Sequence, residues 1–316
     1  MVKILANDGI EADGQLLLEE ADYEVDTQHV PQDDLPKVLP DYDVIIVRSA
    51  TKVRKELIDL CPKLKIIARG GVGMDNIDVE YARSKGIAVI NTPNASSQSV
   101  AELAFAHIFT LARSLHMTNR LLPESGAADF KKLKSRFSDG IQLRGKTLGI
   151  IGFGRIGQEL ARIALALGMN IKPVDVALDE AELQINVFNN SEVGLTVRLK
   201  TYDMEEVLRT SDFISLHVPG GCLIGKTEID MMKTGSYIIN TARGGVVDEN
   251  ALFEALESGK LAGAGLDVFM NEPTPRADLM NHPKVSVSPH IGASTLEAQV
   301  NIGMELADRI IEFFGD

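Results

Sequence analysis

The sequence lacks the features that mark several protein classes. Its 316 residues include no tryptophan and two cysteines, Cys61 and Cys222, which show neither metal-ligand spacing nor a disulfide pattern. We therefore expect no metal site and two buried, reduced thiols. No apolar run approaches the ~18 residues that a membrane span requires, and the N-terminus shows no signal-peptide pattern. These absences predict a cytoplasmic protein that binds no membrane.

Basic residues are also scarce. Lysine and arginine number 32 against 45 aspartates and glutamates, so that the net charge is −13. Such an acidic composition argues against nucleic acid and anionic membranes as partners. It does not exclude a small anionic substrate, because such a molecule responds to local arginines more than to the total charge. With 45% hydrophobic and 24% charged residues, the composition is typical of a globular protein.

Short apolar runs alternate with helical patterns along the whole chain. The runs have the length and composition of strands, and they lie at residues 2–6, 23–27, 44–48, 64–68, 87–91, 147–151, 170–174, 212–218, 235–241, 262–268 and 284–288. This order predicts an α/β fold with two doubly wound parallel-sheet domains, since 316 residues exceed one ordinary core. We expect one domain at residues 1–95 and 293–316 and the other at 96–292, with a ligand cleft between them.

Three further segments connect or complete these domains. A long apolar helix is predicted from Ser97 to Leu122, and a polar, basic connector follows at residues 129–140. A final amphipathic helix is predicted from Thr295 to Phe314. Because this helix comes after the last strand of the second domain, we expect it to return to the first.

A glycine motif opens the strand pattern of the second domain. Residues 152–157, GFGRIG, directly follow the strand TLGII and begin a helical pattern, which is the context of a dinucleotide-binding loop. Gly152 permits the tight turn, Gly154 lets a pyrophosphate approach the backbone, and Gly157 allows close packing of helix on strand. The helix N-terminus then favours the anion. Asp175 ends the next strand, where a carboxylate binds ribose hydroxyls and repels a 2′-phosphate, so we predict NAD rather than NADP.

Three chemical groups follow later strands of the same domain. Arg243 comes after YIINT, Glu272 after GAGLDV, and His290 after VSVS. Each could be an ordinary surface residue, but the carboxyl ends of parallel strands meet at one edge, where ligands bind. Hydride transfer between an alcohol and nicotinamide needs a group that moves the hydroxyl proton, and histidine does this best near neutral pH. A carboxylate would fix its tautomer, and a guanidinium would bind a substrate carboxylate. The set therefore predicts His290 as the acid/base of such a transfer.

Five motifs occur in the order of a known family. They are GFGRIG, LHVP at 216–219, NTARGGVVDENAL at 240–252, LDVFMNEP at 266–273 and SPHIGAS at 288–294. Over essentially its whole length the chain resembles the D-2-hydroxyacid dehydrogenases, which implies a Rossmann-type nucleotide domain and a flavodoxin-like substrate domain. The resemblance implies catalytic roles for Arg243, Glu272 and His290. The implied cofactor contacts are Gly152, Gly154, Arg155, Ile156, Gly157, Asp175, His217, Val218, Pro219, Thr241, Ala242, Asp267, Gly292 and Ala293.

Within this family the N-terminal half is most similar to the phosphoglycerate dehydrogenases. The similarity lies in IIVRSATKV at 45–53, ARGGVGMDNID at 68–78 and NTPNASSQSVAEL at 91–103. It implies NAD-dependent oxidation of D-3-phosphoglycerate to 3-phosphohydroxypyruvate, the first step of phosphorylated serine biosynthesis. The implied substrate-binding residues are Arg48, Ser49, Arg69, Val72, Gly73 and Asn94. Arg48 would meet the phosphate, although it could instead form a surface ion pair, and either Lys134 or Arg136 could add a contact from a partner subunit.

The chain departs from the family in three places. Residues 179–201 hold an insertion near the adenosine end, and the connector has no tryptophan. One helical segment follows His290, so we expect no C-terminal regulatory domain and no inhibition by serine through it. Because the family forms a twofold contact along the long helix after Ser97, we also expect a homodimer.

Two other functions stay open. One is reduction of hydroxypyruvate, glyoxylate or another 2-keto acid on the same scaffold, because the fold does not select the substrate. The other is an NAD-sensing, corepressor-like binding protein, against which the complete set of Arg243, Glu272 and His290 argues. Turnover of any 2-keto acid would separate the two classes.

Overall fold

The computed structural model describes residues 1–186 and 194–315. The chain divides into two compact units. Unit 1 comprises Met1–Ser99 and Ala293–Asp316, and unit 2 comprises Val100–Gly292. Each unit is built on a parallel sheet with helices, so the predicted α/β class with two parallel sheets is confirmed.

Unit 1 contains a parallel sheet in the strand order β2-β1-β3-β4-β5. Its strands are β1 (Lys3–Ala6), β2 (Glu24–Asp26), β3 (Val44–Val47), β4 (Ile66–Arg69) and β5 (Ala88–Asn91). The central strands are strongly apolar because they are covered on both faces, and every residue of β3 is buried. The carboxyl ends of β1, β3, β4 and β5 meet at one edge of this sheet.

Two apolar clusters fill unit 1. Its helices are α1 (Ala12–Glu20), α2 (Leu35–Val38), a 3₁₀ helix (Leu39–Asp41), α3 (Lys55–Asp59), α4 (Val79–Ser84) and the last helix of the chain, α12 (Leu296–Gly315). One cluster contains Leu35 and Leu57 of α2 and α3. The other contains Leu18 of α1 with Ile302 and Leu306 of α12. The final helix therefore packs on the unit in which the chain begins.

Unit 2 contains a second parallel sheet in the order β13-β12-β11-β10-β6-β7. Its strands are β6 (Thr147–Ile151), β7 (Asn170–Val174), β10 (Phe213–Leu216), β11 (Ser236–Asn240), β12 (Leu261–Leu266) and β13 (Val285–Val287). Its helices are α5 (Ser97–Ala112), whose first residues belong to unit 1, α6 (Leu115–Arg136), α7 (Arg155–Ala166), α8 (Met204–Thr210), α9 (Lys226–Met231), α10 (Glu249–Glu257) and α11 (Ala277–Met280). One core cluster contains Phe153 and Phe213, and the other contains Leu252 and Leu256.

An antiparallel hairpin interrupts the βαβ order of unit 2. β8 (Glu180–Asn186) pairs with β9 (Gly194–Lys200). Leu183 anchors the hairpin in the core, and Arg162 Nε of α7 donates a hydrogen bond to the carbonyl oxygen of Gln184 (3.0 Å). The hairpin forms most of the predicted insertion at 179–201, of which residues 187–193 lie outside the described part of the chain.

The predicted helix at 97–122 is wrong in two respects. Ser114 has a left-handed backbone (φ 53°) and separates α5 from α6. α6 then continues past Pro123, so that most of the connector predicted at 129–140 is helical. A proline removes one intrahelical hydrogen bond. Here the helix continues despite that loss, and its irregular backbone lies further on, at Asp129 (φ −110°, ψ 16°).

The two cysteines differ in environment. Cys61 is buried in unit 1, and burial raises the pKa of its thiol to about 11. Cys222 is exposed, so the expectation of two buried thiols is wrong for this residue. It lies in the loop after β10, and loops run over the protein surface because their backbone polar groups need water.

Candidate active site

His290 and Glu272 form the most direct chemical pair in unit 2. His290 Nδ1 lies 2.7 Å from Glu272 Oε2, and Glu272 Oε1 accepts a hydrogen bond from the N–H of Phe269 (2.8 Å). A carboxylate can only accept, so Nδ1 carries a proton, and in the neutral form of the ring Nε2 keeps the lone pair. The imidazole is 51% exposed and the glutamate side chain 34% exposed. The pair is therefore arranged to exchange a proton at Nε2.

Asp267 holds the loop that carries His290. Its side chain is 1% exposed, and its carboxylate accepts hydrogen bonds from Ser288 Oγ (2.6 Å) and from the N–H groups of Ile291 and Gly292 (2.9 Å each). Its carbonyl oxygen accepts from the N–H of His290 (2.8 Å). His290 has a left-handed backbone (φ 54°), which residues other than glycine rarely adopt, and these bonds hold it there. The arrangement arises because β12 and β13 are parallel neighbours.

Arg243 lies in the turn after β11, the neighbour of β12. Buried Asn240 fixes this turn: its Nδ2 donates to the carbonyl oxygen of Arg243 (2.9 Å), and its Oδ1 accepts from the N–H of Ala242 (3.1 Å). The half-buried guanidinium donates to the carbonyl oxygen of Ala242 (2.6 Å). Arg243, Glu272 and His290 thus follow three adjacent strands of one sheet.

The glycine loop between β6 and α7 is shaped by close backbone contacts. Gly152 has φ 91°, and a Cβ atom there would lie 2.4 Å from the carbonyl oxygen of His217. A Cβ atom at Gly157 would lie 2.4 Å from the carbonyl oxygen of Gly152. At Gly154, by contrast, a Cβ atom would meet nothing within 4 Å. The backbone is therefore open to a ligand directly before the N-terminus of α7, where an anion is favoured.

Asp175 follows β7 and is tied to this glycine loop. Its Oδ2 accepts a hydrogen bond from the N–H of Phe153 (2.8 Å), and its Oδ1 accepts one from the N–H of Ala177 (2.8 Å). Each carboxylate oxygen can accept a further hydrogen bond. The carboxylate therefore suits a ribose with free hydroxyls, as in NAD, better than a 2′-phosphate.

Two predicted cofactor residues each leave a buried polar atom without a partner among the described residues. These atoms are His217 Nδ1 and Thr241 Oγ1. The other ring nitrogen of His217 lies 2.9 Å from Ser215 Oγ, and burial lowers the pKa of His217 to about 4, so the ring is neutral near pH 7. An unsatisfied buried polar atom costs about 1–3 kcal/mol. Since both residues follow strands at the edge that carries the glycine loop, they fit a polar cofactor such as NAD.

Most of the other predicted cofactor residues lie at the same edge of the unit 2 sheet. They are Arg155 and Ile156 in the first turn of α7, Val218 and Pro219 after β10, Ala242 after β11 and Gly292 after β13. Ala293 is the exception, because the second segment of unit 1 begins there. The fold of unit 2 alone therefore gathers the predicted set apart from Ala293.

In unit 1 the predicted substrate residues also follow adjacent strands. Arg48 and Ser49 follow β3, Arg69 ends β4 with Val72 and Gly73 after it, and Asn94 follows β5. Ser49 and Asn94 are exposed, whereas both arginines are half-buried. The guanidinium of Arg69 donates to the carbonyl oxygen of Gly70 (2.9 Å). The two arginines start from neighbouring positions, because Val47 and Arg69 are partners in the register of β3 and β4.

Asp8, which follows β1, holds the turn that carries Arg48. Its Oδ2 accepts hydrogen bonds from the N–H groups of Arg48 (2.7 Å) and Thr51 (3.1 Å), and its Oδ1 accepts from Thr51 Oγ1 (2.6 Å). Arg48 Nη2 lies 3.7 Å from Glu11 Oε1, so the ion pair considered as an alternative is present. Both side chains of this pair are partly exposed, and such pairs contribute little to stability.

The roles of three residues that position these loops were not evident from the sequence. Asp8 and Asn240 were not singled out, and Asp267 was assigned to the cofactor without its part in the His290 loop. The available signal was a polar residue at or directly after the end of a short apolar strand. That signal becomes specific once the strand order is known, because each carboxylate acts on the loop of the neighbouring strand.

The described residues contain neither a metal-binding cluster nor a membrane-spanning helix. No group of three or more histidine, cysteine, aspartate or glutamate residues in this part of the chain could hold a metal ion. No described helix is long and apolar enough to cross a membrane. Lys134 and Arg136, the two candidates for a phosphate contact from a partner subunit, both lie on α6.

Comparison with known proteins points to one family. Residues 105–292 match the family described as D-isomer specific 2-hydroxyacid dehydrogenase, NAD binding domain. The chain is 44% identical to a hydroxypyruvate reductase of Thermotoga maritima, over 99% of this chain and 98% of that protein. It is 43% identical to a D-3-phosphoglycerate dehydrogenase of Methanocaldococcus jannaschii, over 98% of this chain but 57% of that longer protein.

A solved structure extends the similarity to three dimensions. The NAD⁺-bound 3-phosphoglycerate dehydrogenase of Entamoeba histolytica matches with a TM-score of 0.77 at 29% identity, and the match covers 100% of this chain and 96% of that one. The family match covers more than half of the chain and ends at Gly292, the last residue of unit 2. The chain therefore belongs to the D-2-hydroxyacid dehydrogenases, and its cofactor is NAD.

Proposed function

We propose that the chain oxidises D-3-phosphoglycerate to 3-phosphohydroxypyruvate with NAD. The observation that carries the proposal is the pair of arginines, Arg48 and Arg69, at the ends of adjacent strands in unit 1. Guanidinium groups are well suited to bind a phosphate. The 43% identity to a D-3-phosphoglycerate dehydrogenase supports the same substrate.

In the proposed reaction His290 is the acid/base. Its Nε2 removes the proton of the C2 hydroxyl as the C2–H bond breaks and the C2–O bond becomes a carbonyl. Glu272 keeps the proton on Nδ1 and offsets the positive charge that the ring acquires. NAD supplies the hydride acceptor. Arg243 binds the substrate carboxylate and stabilises the charge that develops on the carbonyl oxygen.

The test compares two keto acids that differ by one phosphate. Initial rates of NADH oxidation are measured with 3-phosphohydroxypyruvate and with hydroxypyruvate, for the wild-type chain and Arg48→Ala. We expect a preference for the phosphorylated acid, and a KM for it raised roughly 10- to 100-fold in the variant, because a hydrogen bond to a charged group contributes about 1.5–3 kcal/mol. The KM for hydroxypyruvate should change little.

Arg54→Ala is the matched control for this experiment. Arg54 is another arginine of unit 1, and its guanidinium is occupied by Asp78 (2.9 Å). Its removal should leave both KM values unchanged. Equal loss of affinity for the two keto acids in Arg48→Ala would contradict the assignment of Arg48 to the phosphate.

Hydroxypyruvate reduction is the second candidate, and two observations favour it. The hydroxypyruvate reductase of Thermotoga maritima is matched at 44% identity over 98% of its own length. In addition, the Glu11 carboxylate lies 3.7 Å from Arg48 and would compete with a phosphate for the guanidinium. Equal or better turnover of hydroxypyruvate by the wild-type chain would favour this reaction and leave the roles of His290 and Glu272 in place.

We also propose that the chain forms a homodimer through α5 and α6. These helices leave large apolar side chains exposed, among them Phe109, Leu122 and Phe130. A second copy of the chain would remove this apolar surface from water. A mass of 34.3 kDa by light scattering, which is that of one chain, would contradict the proposal.

A further inference from the structure

His107 is a buried imidazole in the middle of α5. It is 4% exposed, and its neighbours on the helix, Ala104, Ile108 and Leu111, are buried and apolar. A polar ring in such a place must find hydrogen-bond partners or destabilise the fold. Gly265 of β12 makes room for it, because a Cβ atom at that position would lie 2.7 Å from His107 Cβ.

Both ring nitrogens of His107 are paired with serines of the strand and loop that lead to His290. Nδ1 lies 2.9 Å from Ser286 Oγ, and Nε2 lies 2.9 Å from Ser288 Oγ. Ser288 in turn donates to the Asp267 carboxylate (2.6 Å). These side chains thereby connect α5 to the loop that carries His290, although the helix and the loop are far apart in the sequence.

The direction of each hydrogen bond in this chain can be deduced from Asp267. A carboxylate only accepts, so the single hydrogen of the Ser288 hydroxyl points to Asp267. Ser288 Oγ must then accept from Nε2–H of His107, which leaves Nδ1 to accept from the hydroxyl of Ser286. Burial lowers the pKa of His107, so the neutral ring that this pattern requires is the form expected near pH 7.

The series of hydrogen bonds that starts at His107 ends on the backbone of the loop that carries His290. The same Asp267 carboxylate accepts hydrogen bonds from the N–H groups of Ile291 and Gly292. The main-chain carbonyl oxygen of Asp267 accepts a hydrogen bond from the N–H of His290. Two successive backbone N–H groups, those of Ile291 and Gly292, therefore depend on the orientation of the Asp267 side chain, and the N–H of His290 is held by the main chain of the same residue. Hydrogen bonds to a charged group are the strong ones, and linked hydrogen bonds reinforce each other.

We propose that His107 is a positioning residue for hydride transfer: through Ser288 it orients the Asp267 carboxylate, and Asp267 holds His290 in its left-handed conformation. His107 itself is sealed in the core and contacts no reactant. Its role rests on the proposed function, in which His290 is the acid/base. Ser286 completes the pairing of the ring and acts on the loop only through it.

Three variants separate positioning from packing. His107→Leu removes the ring, which takes the partner of the Ser286 hydroxyl away and leaves Ser288 bonded to Asp267 alone. His107→Leu combined with Ser286→Val replaces the buried pair with apolar groups, an exchange that can be nearly neutral for stability. His107→Gln keeps an N–H donor for Ser288. For each variant, kcat and KM are measured with both keto acids, the urea midpoint gives stability, and hydrogen–deuterium exchange is followed on the peptide that contains residues 290–292.

If His107 is a positioning residue, kcat should stay low in a variant whose stability is restored. We expect the double variant to recover the urea midpoint while its kcat stays about 10-fold low, since small displacements of a catalytic group cost large factors in rate. His107→Gln should recover most of kcat. Hydrogen–deuterium exchange at residues 290–292 should be faster in the double variant than in the wild type, and unchanged in His107→Gln.

His282→Leu is the control for loss of a buried histidine. His282 is 5% exposed and is bonded to Glu257 (2.9 Å) and to the N–H of Lys284, with no link to Asp267. Its loss should lower the urea midpoint and leave kcat unchanged. An equal fall in kcat for His282→Leu, or a double variant that recovers kcat together with stability, would reduce His107 to a core residue.

A parallel variant, His290→Gln, distinguishes failure of this inference from failure of the proposed function. If His290→Gln keeps its turnover, the acid/base assignment is wrong. If it loses turnover while the double variant is normal, only the role of His107 is wrong. Unchanged exchange at residues 290–292 in the double variant overturns the inference whatever the activity, because the loop would then not depend on His107.

Discussion

Asp8 in unit 1 and Asp267 in unit 2 occupy equivalent positions in two different sheets. Each follows one strand and accepts hydrogen bonds from the backbone of the loop that follows the adjacent strand, with Arg48 on one loop and His290 on the other. Each also accepts from a hydroxyl of that loop, Thr51 Oγ1 in unit 1 and Ser288 Oγ in unit 2 (2.6 Å each).

The two arrangements differ in the residue behind the hydroxyl. In unit 1 this residue is Asn7, the immediate neighbour of Asp8. Nδ2 of Asn7 donates a hydrogen bond to Thr51 Oγ1 (2.8 Å). In unit 2 it is His107, which comes from a helix and can change its protonation state. The loop proposed to bind a phosphate is thus supported locally, while the loop proposed to carry out the chemistry is tied to the core packing. A proton donor needs tighter angular control than a charge that attracts an anion.

Asp267→Asn is expected to have the largest effect. The amide cannot accept all the hydrogen bonds that the carboxylate accepts, so the His290 loop should lose its conformation. We expect kcat to fall roughly 100-fold, the cost of a displacement of about 1 Å at a catalytic group. Steady-state kinetics with saturating keto acid measures this value, and circular dichroism checks that the variant is folded. A kcat within a factor of two of the wild type would contradict the comparison.

Asp8→Asn should have a smaller effect and a different one. Its loop is proposed to bind the substrate, so the KM for the keto acid should rise about 10-fold, equivalent to about 1.4 kcal/mol, with kcat largely retained. The same assay measures it beside Asp267→Asn. If both variants change the same kinetic constant, the division between a binding loop and a chemical loop is lost.

Lowering the pH tests the comparison through stability rather than through turnover. Burial lowers the pKa of His107 and brings that of His217 to about 4, below the value of about 6.5 in an unfolded chain. As the pH falls from 6.5 towards 4, the unfolded chain takes up protons that the folded chain does not. The free energy of unfolding should therefore fall, by at most about 1.4 kcal/mol per pH unit for each histidine.

Urea unfolding at pH 7, 5.5 and 4.5 measures this loss of stability. His217→Gln and the double variant His107→Leu/Ser286→Val should each flatten the dependence, because each removes a histidine that is neutral when folded. Asn7→Ala in unit 1 should lower stability by the same amount at every pH. A pH dependence unchanged in both histidine variants would show that other groups control acid unfolding.

Much of the fold could be predicted from the sequence because buried parallel strands have a distinctive composition. TLGII at 147–151 and NIKPV at 170–174 match β6 and β7 at both ends. The break at Ser114 could not be predicted in this way, since serine carries no strong preference for a left-handed backbone. The hairpin of β8 and β9 also escaped prediction, because β9 is largely exposed and lacks the composition of a buried strand.

The candidate site divides in the same manner. Arg243, Glu272 and His290 could be singled out because each follows a recognisable strand and carries chemistry of its own. The contributions of Asp8 and Asp267 depend on which strands are neighbours, and that order is a property of the folded sheet. His107 was missed altogether. In the sequence it is one polar residue in an apolar helix, and its partners lie far along the chain at Ser286 and Ser288.

The left-handed backbone of His290 limits which residues a saturation library could recover at this position. At φ 54° the backbone tolerates glycine, asparagine, aspartate and histidine, and it strongly disfavours β-branched residues. Of the tolerated four, histidine alone exchanges a proton near neutral pH without a perturbed environment. The backbone conformation and the acid/base chemistry therefore both favour histidine at this position. A library screened for folding alone should already be enriched in histidine before any selection for turnover.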